Sequence, residues 1–348
     1  MKTVGYASHS PESELVPYHF ERRDLRKGDV AIEILYCGVC HSDLHTIKGD
    51  WGEQPYPLIP GHEIIGKVIE VGPDVRNFKV GENVGVGCMV DSCQGCDQCG
   101  AGEEMFCRNG MTATYGSEDR VTGDVTQGGY SKHIIVREEF VLRISDKLDL
   151  SKAAPILCAG ITTYTPLKKW NVGKGSRVGV VGLGGLGHMG VKLAVAMGAE
   201  VTVISRSNSK EKEAKSLGAK GILVSTDEEQ MDKAMNSFDL ILDTVPVKHN
   251  YDTYTPLLDV DATLVIVGQV GEMEESGTIP LLFGRKRIAG SLIGGISDTQ
   301  EVLDFCAKHG IHPDCEMITP KQINEAWEKL TSSNPAHRYV IDMSELSI

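Results

Sequence analysis

A small group of potential metal ligands near the amino terminus limits what this chain can fold into and do. The run Cys40-His41-Ser42-Asp43-Leu44-His45 carries a thiol, a hydroxyl, a carboxylate and two imidazoles. The tight turn at 60–63 adds His62 and Glu63, and Cys158 follows much later. Two thiolates and one imidazole are the protein ligands of a catalytic zinc whose fourth position stays open. The alternative is a set of unrelated buried cysteines and a core histidine.

Four further thiols lie close together in the sequence, at Cys93, Cys96, Cys99 and Cys107. This spacing is typical of a closed structural zinc site with four thiolate ligands. A [4Fe–4S] cluster is the rival interpretation, because such clusters also use closely spaced cysteines. We favour zinc, since the sequence contains no second run of the cluster type. Four free thiols without a metal would be an oxidation liability.

The composition is that of an ordinary globular protein, and 348 residues suggest two domains. The net charge of -13 argues against a nucleic-acid partner, which would require a basic surface. No apolar run approaches the roughly 18 residues of a membrane span. Residues 1–6 lack the apolar core of a signal peptide, so we expect a cytoplasmic protein. The ten cysteines are then metal ligands or free thiols rather than disulfides.

Short apolar runs punctuated by Gly, Pro and Asp predict a β-rich barrel or sandwich over residues 1–150. The predicted strands are 30–35, 63–71, 80–86, 133–136 and 141–144. Residues 151–170 are predicted to be largely helical, with Ser151 as N-cap and with Pro155 and Pro166 as breaks.

Strands then alternate with helices, which predicts a doubly wound parallel sheet. The predicted strands are 177–181, 200–204, 221–224, 239–244, 263–268 and 287–292, with helices from the 182–187 turn to about 198 and over 207–217. Residues 297–348 return to mixed elements, which suggests that the chain crosses back to the first domain.

The turn Gly182-Leu183-Gly184-Gly185-Leu186-Gly187 follows a strand and opens a helix, which is the context that a dinucleotide-binding motif requires. Gly182 allows the tight turn, Gly184 lets the backbone approach the pyrophosphate, and Gly187 lets the helix pack closely on the strand. The alternative is a glycine-rich packing turn without a ligand.

The end of the next strand bears on the choice of cofactor. NAD sites place a carboxylate there, whereas NADP sites use a cation for the 2′-phosphate. Here the chain reads Ser205-Arg206-Ser207-Asn208-Ser209-Lys210, with no acid before Glu211. Arg206 can contact a phosphate through two parallel hydrogen bonds and Lys210 adds charge. We therefore predict NADP(H), the alternative being a solvated surface loop.

Taken together, these motifs resemble the zinc-dependent medium-chain alcohol dehydrogenases, and most of all the cinnamyl alcohol dehydrogenase branch with its bacterial aldehyde reductase relatives. The residues that carry the resemblance are 38–45, 60–63, the cysteines at 93, 96, 99 and 107, 157–164, 182–187, 205–210 and 290–295. The resemblance implies an α/β protein in which a GroES-like catalytic domain (1–153 and 293–348) flanks a Rossmann domain (154–292).

The resemblance also implies roles for single residues. Cys40, His62 and Cys158 would bind the catalytic zinc, with Glu63 nearby and Asp43 orienting His62. Together with the four-cysteine lobe this gives two Zn²⁺ per chain. Trp51 and Met89 are expected to line the substrate pocket, and Thr162 to contact NADP(H) beside the glycine turn.

The expected activity is hydride transfer that interconverts primary alcohols and aldehydes. Ser42 would pass the substrate proton to a cofactor hydroxyl, and His45 would accept it at the surface. Two alternatives remain at this point, namely a polyol dehydrogenase on the same scaffold and a non-catalytic NADPH-binding protein. By resemblance we expect a homodimer that pairs through the strand near 286–292. The sequence does not name the physiological substrate.

Overall fold

A computed structural model describes residues 1–268, 271–333 and 337–346 of the chain. Contacts group the chain into a first unit, Met1–Ile161 with Gly294–Ile348, and a second unit, Thr162–Ile293. The division after Ile161 places Cys158 in the first unit, whereas the boundary expected at 153/154 would place it in the second.

The elements up to residue 153 belong to the first unit, and α4 starts in the first unit and continues into the second. The strands are β1 (Lys2–Ala7), β2 (Val16–Glu21), β3 (Asp29–Gly38), β4 (Ile64–Val71), β5 (Asn83–Val86), β6 (Met89–Asp91), β7 (Thr112–Ala113), β8 (His133–Arg137) and β9 (Leu142–Arg143). The helices are α1 (His41–Lys48), α2 (Asp97–Gly100), α3 (Leu150–Ala153) and α4 (Ala159–Lys169).

Strands and helices alternate through the second unit, and the chain then returns to the first. The strands are β10 (Arg177–Val181), β11 (Glu200–Ser205), β12 (Ile222–Val224), β13 (Phe238–Asp243), β14 (Leu258–Ile266), β15 (Arg287–Gly290), β16 (Cys315–Ile318) and β17 (Arg338–Asp342). The helices are α5 (Gly185–Ala196), α6 (Glu211–Ser216), α7 (Glu228–Lys233), α8 (Ile279–Leu282), α9 (Ile296–His309) and α10 (Ile323–Ser333).

A seven-stranded sheet organises the first unit, with strand order β16-β17-β3-β4-β5-β9 and with β8 also paired to β3. Its central strand β3 is largely buried, and Cys37 near its end pairs with Ile64 of β4 and Ile341 of β17. The loop that follows β3, the residues that precede β4 and the start of β17 therefore meet at one place. This is where the first group of predicted metal ligands lies.

The second unit contains a six-stranded parallel sheet of order β12-β11-β10-β13-β14-β15. The chain runs outward in one direction from β10 and in the other from β13, so the order reverses between these two strands. In such sheets ligands bind at the carboxyl ends of the strands, at the point of reversal. The predicted doubly wound sheet is confirmed.

Local departures from the predicted elements have simple causes. Asp149, not Ser151, is the N-cap of α3, and its carboxylate accepts a hydrogen bond from the Ser151 amide at 3.0 Å. Pro166 lies inside α4 without ending it.

In the part of the chain that the structure describes, no helix is long and apolar enough to cross a membrane.

Candidate catalytic and cofactor sites

Four buried side chains converge at the end of β3, namely Cys40, His62, Glu63 and Cys158, and one ligand atom of each lies within 4.8 Å of all the others. The sulfurs of Cys40 and Cys158 are 3.9 Å apart, and Nε2 of His62 is 3.3 Å from the Cys158 sulfur. Tetrahedral zinc with ordinary bond lengths requires about 3.8 Å between sulfurs and about 3.6 Å between sulfur and nitrogen. The donor set and its spacing therefore fit zinc.

The fold explains why residues so far apart in sequence meet. Cys40 is the N-cap of α1, which begins directly after β3, and His62 and Glu63 precede β4, the neighbour of β3. Cys158 follows a buried 3₁₀ turn and is itself buried. The contact between the two sulfurs lowers the pKa of Cys40 and raises the pKa of Cys158.

Asp43 holds the imidazole of His62 from a fully buried position. Its carboxylate lies 3.0 Å from Nδ1 of His62, which leaves Nε2 facing the sulfurs. The same carboxylate accepts hydrogen bonds from the backbone amides of Cys40 and Gly61 and from the Tyr130 hydroxyl, at 3.0–3.1 Å. A ligand histidine usually has such a partner, because it fixes the tautomer and the ring direction.

Glu63 is bound on its other side by Arg338, a residue that the sequence analysis did not identify. The Arg338 guanidinium donates to Oε1 of Glu63, and both side chains are buried. Oε2 has no hydrogen-bond partner among the described residues. Glycine at position 38 makes this arrangement possible, because a Cβ there would overlap the Glu63 carboxylate.

The second group of thiols, at Cys93, Cys96, Cys99 and Cys107, forms a separate cluster whose sulfurs all lie within 4.8 Å of one another. Two of the sulfur–sulfur distances are 3.9 Å and 3.5 Å, near the tetrahedral value for zinc. The Gly95 amide lowers the pKa of Cys93 to about 6, which favours a thiolate ligand. Four thiolates without an open position are typical of a structural site.

In the second unit, the glycine turn joins β10 to α5 as predicted. Gly182 has φ +86°, a left-handed conformation that favours glycine. Gly187 packs so closely on the carbonyl of Gly182 that a Cβ would overlap it. The turn therefore presents the amino terminus of α5 at the carboxyl end of β10, where a pyrophosphate binds. Thr162 is buried on α4.

The three residues predicted to determine recognition of the 2′-phosphate, Ser205, Arg206 and Lys210, have different environments in the loop after β11. Ser205 ends the strand and Arg206 is exposed. Lys210 does not extend freely, because its ammonium donates to the Leu183 carbonyl at 2.9 Å. Arg206 thus remains available for phosphate, whereas Lys210 connects this loop to the glycine turn.

Comparison with known proteins identifies the family of the chain. Residues 26–146 match the family model of the alcohol dehydrogenase GroES-like domain, and residues 185–308 match that of zinc-binding dehydrogenases. The chain is 50% identical to NADP-dependent alcohol dehydrogenase C 1 of Mycolicibacterium smegmatis, over 99% of each chain. It belongs to the zinc-binding alcohol dehydrogenases.

Solved structures support the same assignment. A cinnamyl alcohol dehydrogenase of Sorghum bicolor superposes with a TM-score of 0.95 at 41% identity, covering 100% of this chain and 99% of that one. The CAD of Helicobacter pylori, solved in complex with NADP(H), gives 0.92 at 42% identity over 99% of both chains. The expected family, the GroES-like and Rossmann organisation and the enzymatic nature of the protein are confirmed, and a non-catalytic binding protein is excluded.

Both residues predicted for proton transfer lie on α1, the helix that begins directly after Cys40. The Ser42 hydroxyl is 3.5 Å from the Cys40 sulfur. Nδ1 of His45 is 2.7 Å from a carboxylate oxygen of Asp50, a partner that the sequence analysis missed. Because a carboxylate accepts hydrogen bonds, Nδ1 carries a proton and Nε2 of His45 is left to exchange one.

Of the two predicted pocket residues, Trp51 is 42% exposed and its ring stacks on His45 with centroids 5.3 Å apart. Met89 is buried at the start of β6. Trp51 is therefore open to solvent, whereas Met89 is not. Contact of either side chain with the substrate stays a prediction.

Proposed function

We propose that this dehydrogenase interconverts primary alcohols and aldehydes by hydride transfer with NADP(H), acting on aromatic, cinnamyl-type substrates and on a broad range of aldehydes. The observation that carries the proposal is the buried cluster of Cys40, His62 and Cys158. These two thiols and one imidazole are the three protein ligands of a catalytic zinc with a fourth position for a substrate oxygen, and Glu63, bound at one oxygen by Arg338, lies beside that position. The relatives that are named for NADP-dependent alcohol chemistry support the choice of reaction.

Cys40, His62 and Cys158 would hold the catalytic zinc, and Cys93, Cys96, Cys99 and Cys107 the structural one. A zinc ion held in this way supplies a Lewis acid that acidifies an alcohol hydroxyl and polarises an aldehyde carbonyl. The protein keeps the ligands in place through Asp43, and the buried surroundings exclude water from the ligand cluster.

Proton movement is assigned to Ser42 and His45. In alcohol oxidation, the Ser42 hydroxyl accepts the proton of the substrate hydroxyl and releases its own toward His45. His45 holds the proton on Nε2 and delivers it to solvent, because its side chain is partly exposed and Asp50 fixes its Nδ1. Reduction of an aldehyde uses the same groups in the opposite direction.

Cofactor choice is assigned to the loop after β11. Ser205 carries no charge that would repel a 2′-phosphate, and the exposed Arg206 can pair with it. The residues of the turn 182–187 and Thr162 would contact the remainder of NADP(H). Lys210 supports this site indirectly, through its hydrogen bond to Leu183.

A homodimer in the cytoplasm is proposed on two observations. Strand β15 is the edge of the parallel sheet, and the adjacent α8 region exposes Ile279, Leu282 and Phe283 at 67%, 73% and 83%. An unpaired edge beside apolar side chains is suited to pairing with a second copy. All ten cysteines are free, as expected in a reducing compartment. Sedimentation analysis of wild type and of Phe283→Asp tests the dimer.

The proposed reaction is tested by following NADPH absorbance with purified protein. We expect rapid oxidation of NADPH with cinnamaldehyde and benzaldehyde, and much slower oxidation of NADH. Mannitol with NADP⁺ serves as the polyol control and should give little turnover. Turnover of mannitol that exceeds turnover of every aldehyde would assign the protein to the polyol branch instead.

A further inference from the structure

A buried carboxylate and an imidazole face each other at the carboxyl end of β13, away from the metal ligands. Asp243 is fully buried, and one of its oxygens lies 3.0 Å from Nε2 of His249. The geometry is that of an ion-pair contact and not of a well-aligned hydrogen bond. On its opposite side, Nδ1 of His249 lies 2.7 Å from the Val247 carbonyl.

This arrangement determines the protonation of the ring. The Val247 carbonyl can only accept, so Nδ1 of His249 carries a proton. In a neutral ring the lone pair of Nε2 would then face a carboxylate oxygen, and the two would repel. With Asp243 ionised, the doubly protonated imidazolium is favourable on both sides, because it donates to the Val247 carbonyl and pairs electrostatically with Asp243. Accordingly, contact with Asp243 raises the pKa of His249 above its usual value of 6.5 despite partial burial.

Residues 244–249, which end at His249, lie beside the glycine turn. We call this segment the 244–249 wall. The Thr244 hydroxyl donates to the Val181 carbonyl at 2.8 Å, directly before the turn. A Cβ on Gly182 would lie 3.1 Å from the Val245 side chain, and the Val245 amide donates to Asp243 at 3.1 Å. The wall therefore starts at Asp243 and touches the turn, and His249 binds its far end back to Asp243.

Two tyrosines extend the contact toward the 2′-phosphate loop. The ring of His249 packs against Tyr251 and Tyr254, with centroids 4.8 Å and 5.7 Å away. The Tyr254 hydroxyl contacts Ser225 and lies within electrostatic range of Arg206. The Ser225 amide in turn donates to the Ser205 carbonyl at 2.8 Å. The imidazolium thus lies between the wall at the glycine turn and the residues beside Arg206.

We propose that His249 is a positioning residue for the dinucleotide, and that its imidazolium, held by Asp243, fixes the 244–249 wall in the geometry that binds the cofactor. The inference rests on the proposed NADP(H) function. The reversal point of the sheet lies between β10 and β13, so a displacement of this wall changes the crevice at the site where a dinucleotide binds.

The charged groups around the ring determine the direction of the pH effect. Asp243 on β13 and the more distant Glu274 both favour the imidazolium, while Tyr251 and Tyr254 contribute neutral rings and Arg206 lies beyond them. Because the folded pKa is raised, the wall is fully fixed at pH values below the ordinary histidine range. Its stabilisation is lost as the pH rises through the folded pKa of His249. Cofactor affinity should therefore fall over that interval.

The first experiment measures the Kd for NADPH by fluorescence titration from pH 6 to 9 in wild type and in His249→Gln. Glutamine is neutral at every pH, so we expect its binding to be about 5- to 50-fold weaker at pH 6. This ratio should shrink as the pH rises. NADH should lose affinity by a similar factor, because the wall does not contact the 2′-phosphate alone. His309→Gln, at the exposed end of α9, is the matched control and should follow wild type.

A second measurement is made on the wild-type protein, and the variants serve only to assign its signals. Histidine NMR on the wild-type protein, assigned with the two glutamine variants, should give a pKa for His249 above 6.5. Because protonation of His249 tightens NADPH binding, saturating NADPH should in turn favour protonation and raise this pKa further. An unchanged pKa on saturation, or the same Kd profile in His249→Gln and wild type, would overturn the inference while leaving the proposed function intact. Failure of wild type to bind NADPH at any pH would instead overturn the proposed function.

Discussion

Arg338 and Glu63 form a buried ion pair across 275 positions of sequence, directly beside the side chains of Cys40, His62 and Cys158, which we propose as zinc ligands. The pair explains how a carboxylate is tolerated next to two thiolate ligands. Burial alone would lower the pKa of Arg338, but the negative charges of Glu63, Cys40 and Cys158 raise it above its usual value. The guanidinium therefore stays charged and balances a cluster of otherwise like-charged groups.

The first prediction concerns the loss of this cation. Arg338→Met leaves the buried Glu63 carboxylate without its partner, and removing one member of a buried pair costs about 3–5 kcal/mol. We expect the free energy of unfolding to fall by that amount in urea denaturation followed by tryptophan fluorescence.

Two controls separate this effect from a general loss of charge. The double variant Glu63→Gln/Arg338→Met removes both charges and should recover much of the lost stability. Arg285→Met removes a cation from the exposed pair with Asp261 and should leave the urea midpoint nearly unchanged. An Arg338→Met protein as stable as wild type would show that the pair has no structural role.

The second prediction compares the two metal sites. Cys158→Ala leaves one thiolate and one imidazole, too few ligands for a typical catalytic zinc. Elemental analysis should give two zinc ions and no iron in wild type and one zinc in the variant. NADPH binding should stay within a few fold, whereas aldehyde turnover falls by several orders of magnitude because zinc supplies most of the acidification of the substrate.

Cys96→Ser is the matched variant in the other cluster. It should also lose zinc, but the damage should appear as lower thermal stability and not as loss of chemistry in the protein that remains folded. Near-normal turnover in Cys158→Ala would contradict the zinc mechanism. Iron together with a visible charge-transfer band would contradict the zinc assignment of the four-cysteine lobe.

The sequence was sufficient for features in which the chemistry is local. The dense run from Cys40 to His45 and the four spaced cysteines indicate metal sites without knowledge of the fold. The glycine turn is likewise readable because a strand and a helix flank it. Alternating strands and helices then predict the parallel sheet, since the spacing of apolar residues identifies each strand or helix within a short stretch of sequence.

The partners of these residues could not be predicted in the same way. Arg338 reaches Glu63 only because β17 pairs with β3, and no periodicity links positions 275 apart. Asp50 and Asp243 are ordinary acids in the sequence, and only the folded loops place them against His45 and His249. Lys210 shows the converse, because its charge suggested a phosphate contact while the fold directs it to a carbonyl.

The third prediction concerns proton transfer. Ser42→Ala removes the hydroxyl beside Cys40 and should reduce kcat for alcohol oxidation more than His45→Gln does. The His45→Gln defect should be partly rescued by added small bases, because solvent can replace a surface imidazole. Asp50→Asn should give a milder defect, since it frees the His45 ring without removing it. Steady-state rates in both directions at several buffer concentrations test this.

Lys48→Gln, at the end of the same helix, serves as the control because it removes a nearby charge without touching the path. Full kcat of Ser42→Ala in both directions would exclude the relay. Equal defects in Ser42→Ala and Lys48→Gln would point to a general effect of charge or stability on α1.

The last prediction separates the two basic residues of the cofactor loop. Arg206→Ala removes a charge-assisted contact to the 2′-phosphate, which is worth about 1.5–3 kcal/mol, so the KM for NADPH should rise by about 10- to 150-fold with little change for NADH. Lys210→Met instead releases the Leu183 carbonyl in the glycine turn, and because both cofactors share the pyrophosphate it should weaken NADPH and NADH alike. Measuring both KM values in both variants gives the comparison. An unchanged NADPH preference in Arg206→Ala would remove Arg206 from the site, and a selective loss of NADPH in Lys210→Met would show that Lys210 leaves Leu183 to bind the phosphate.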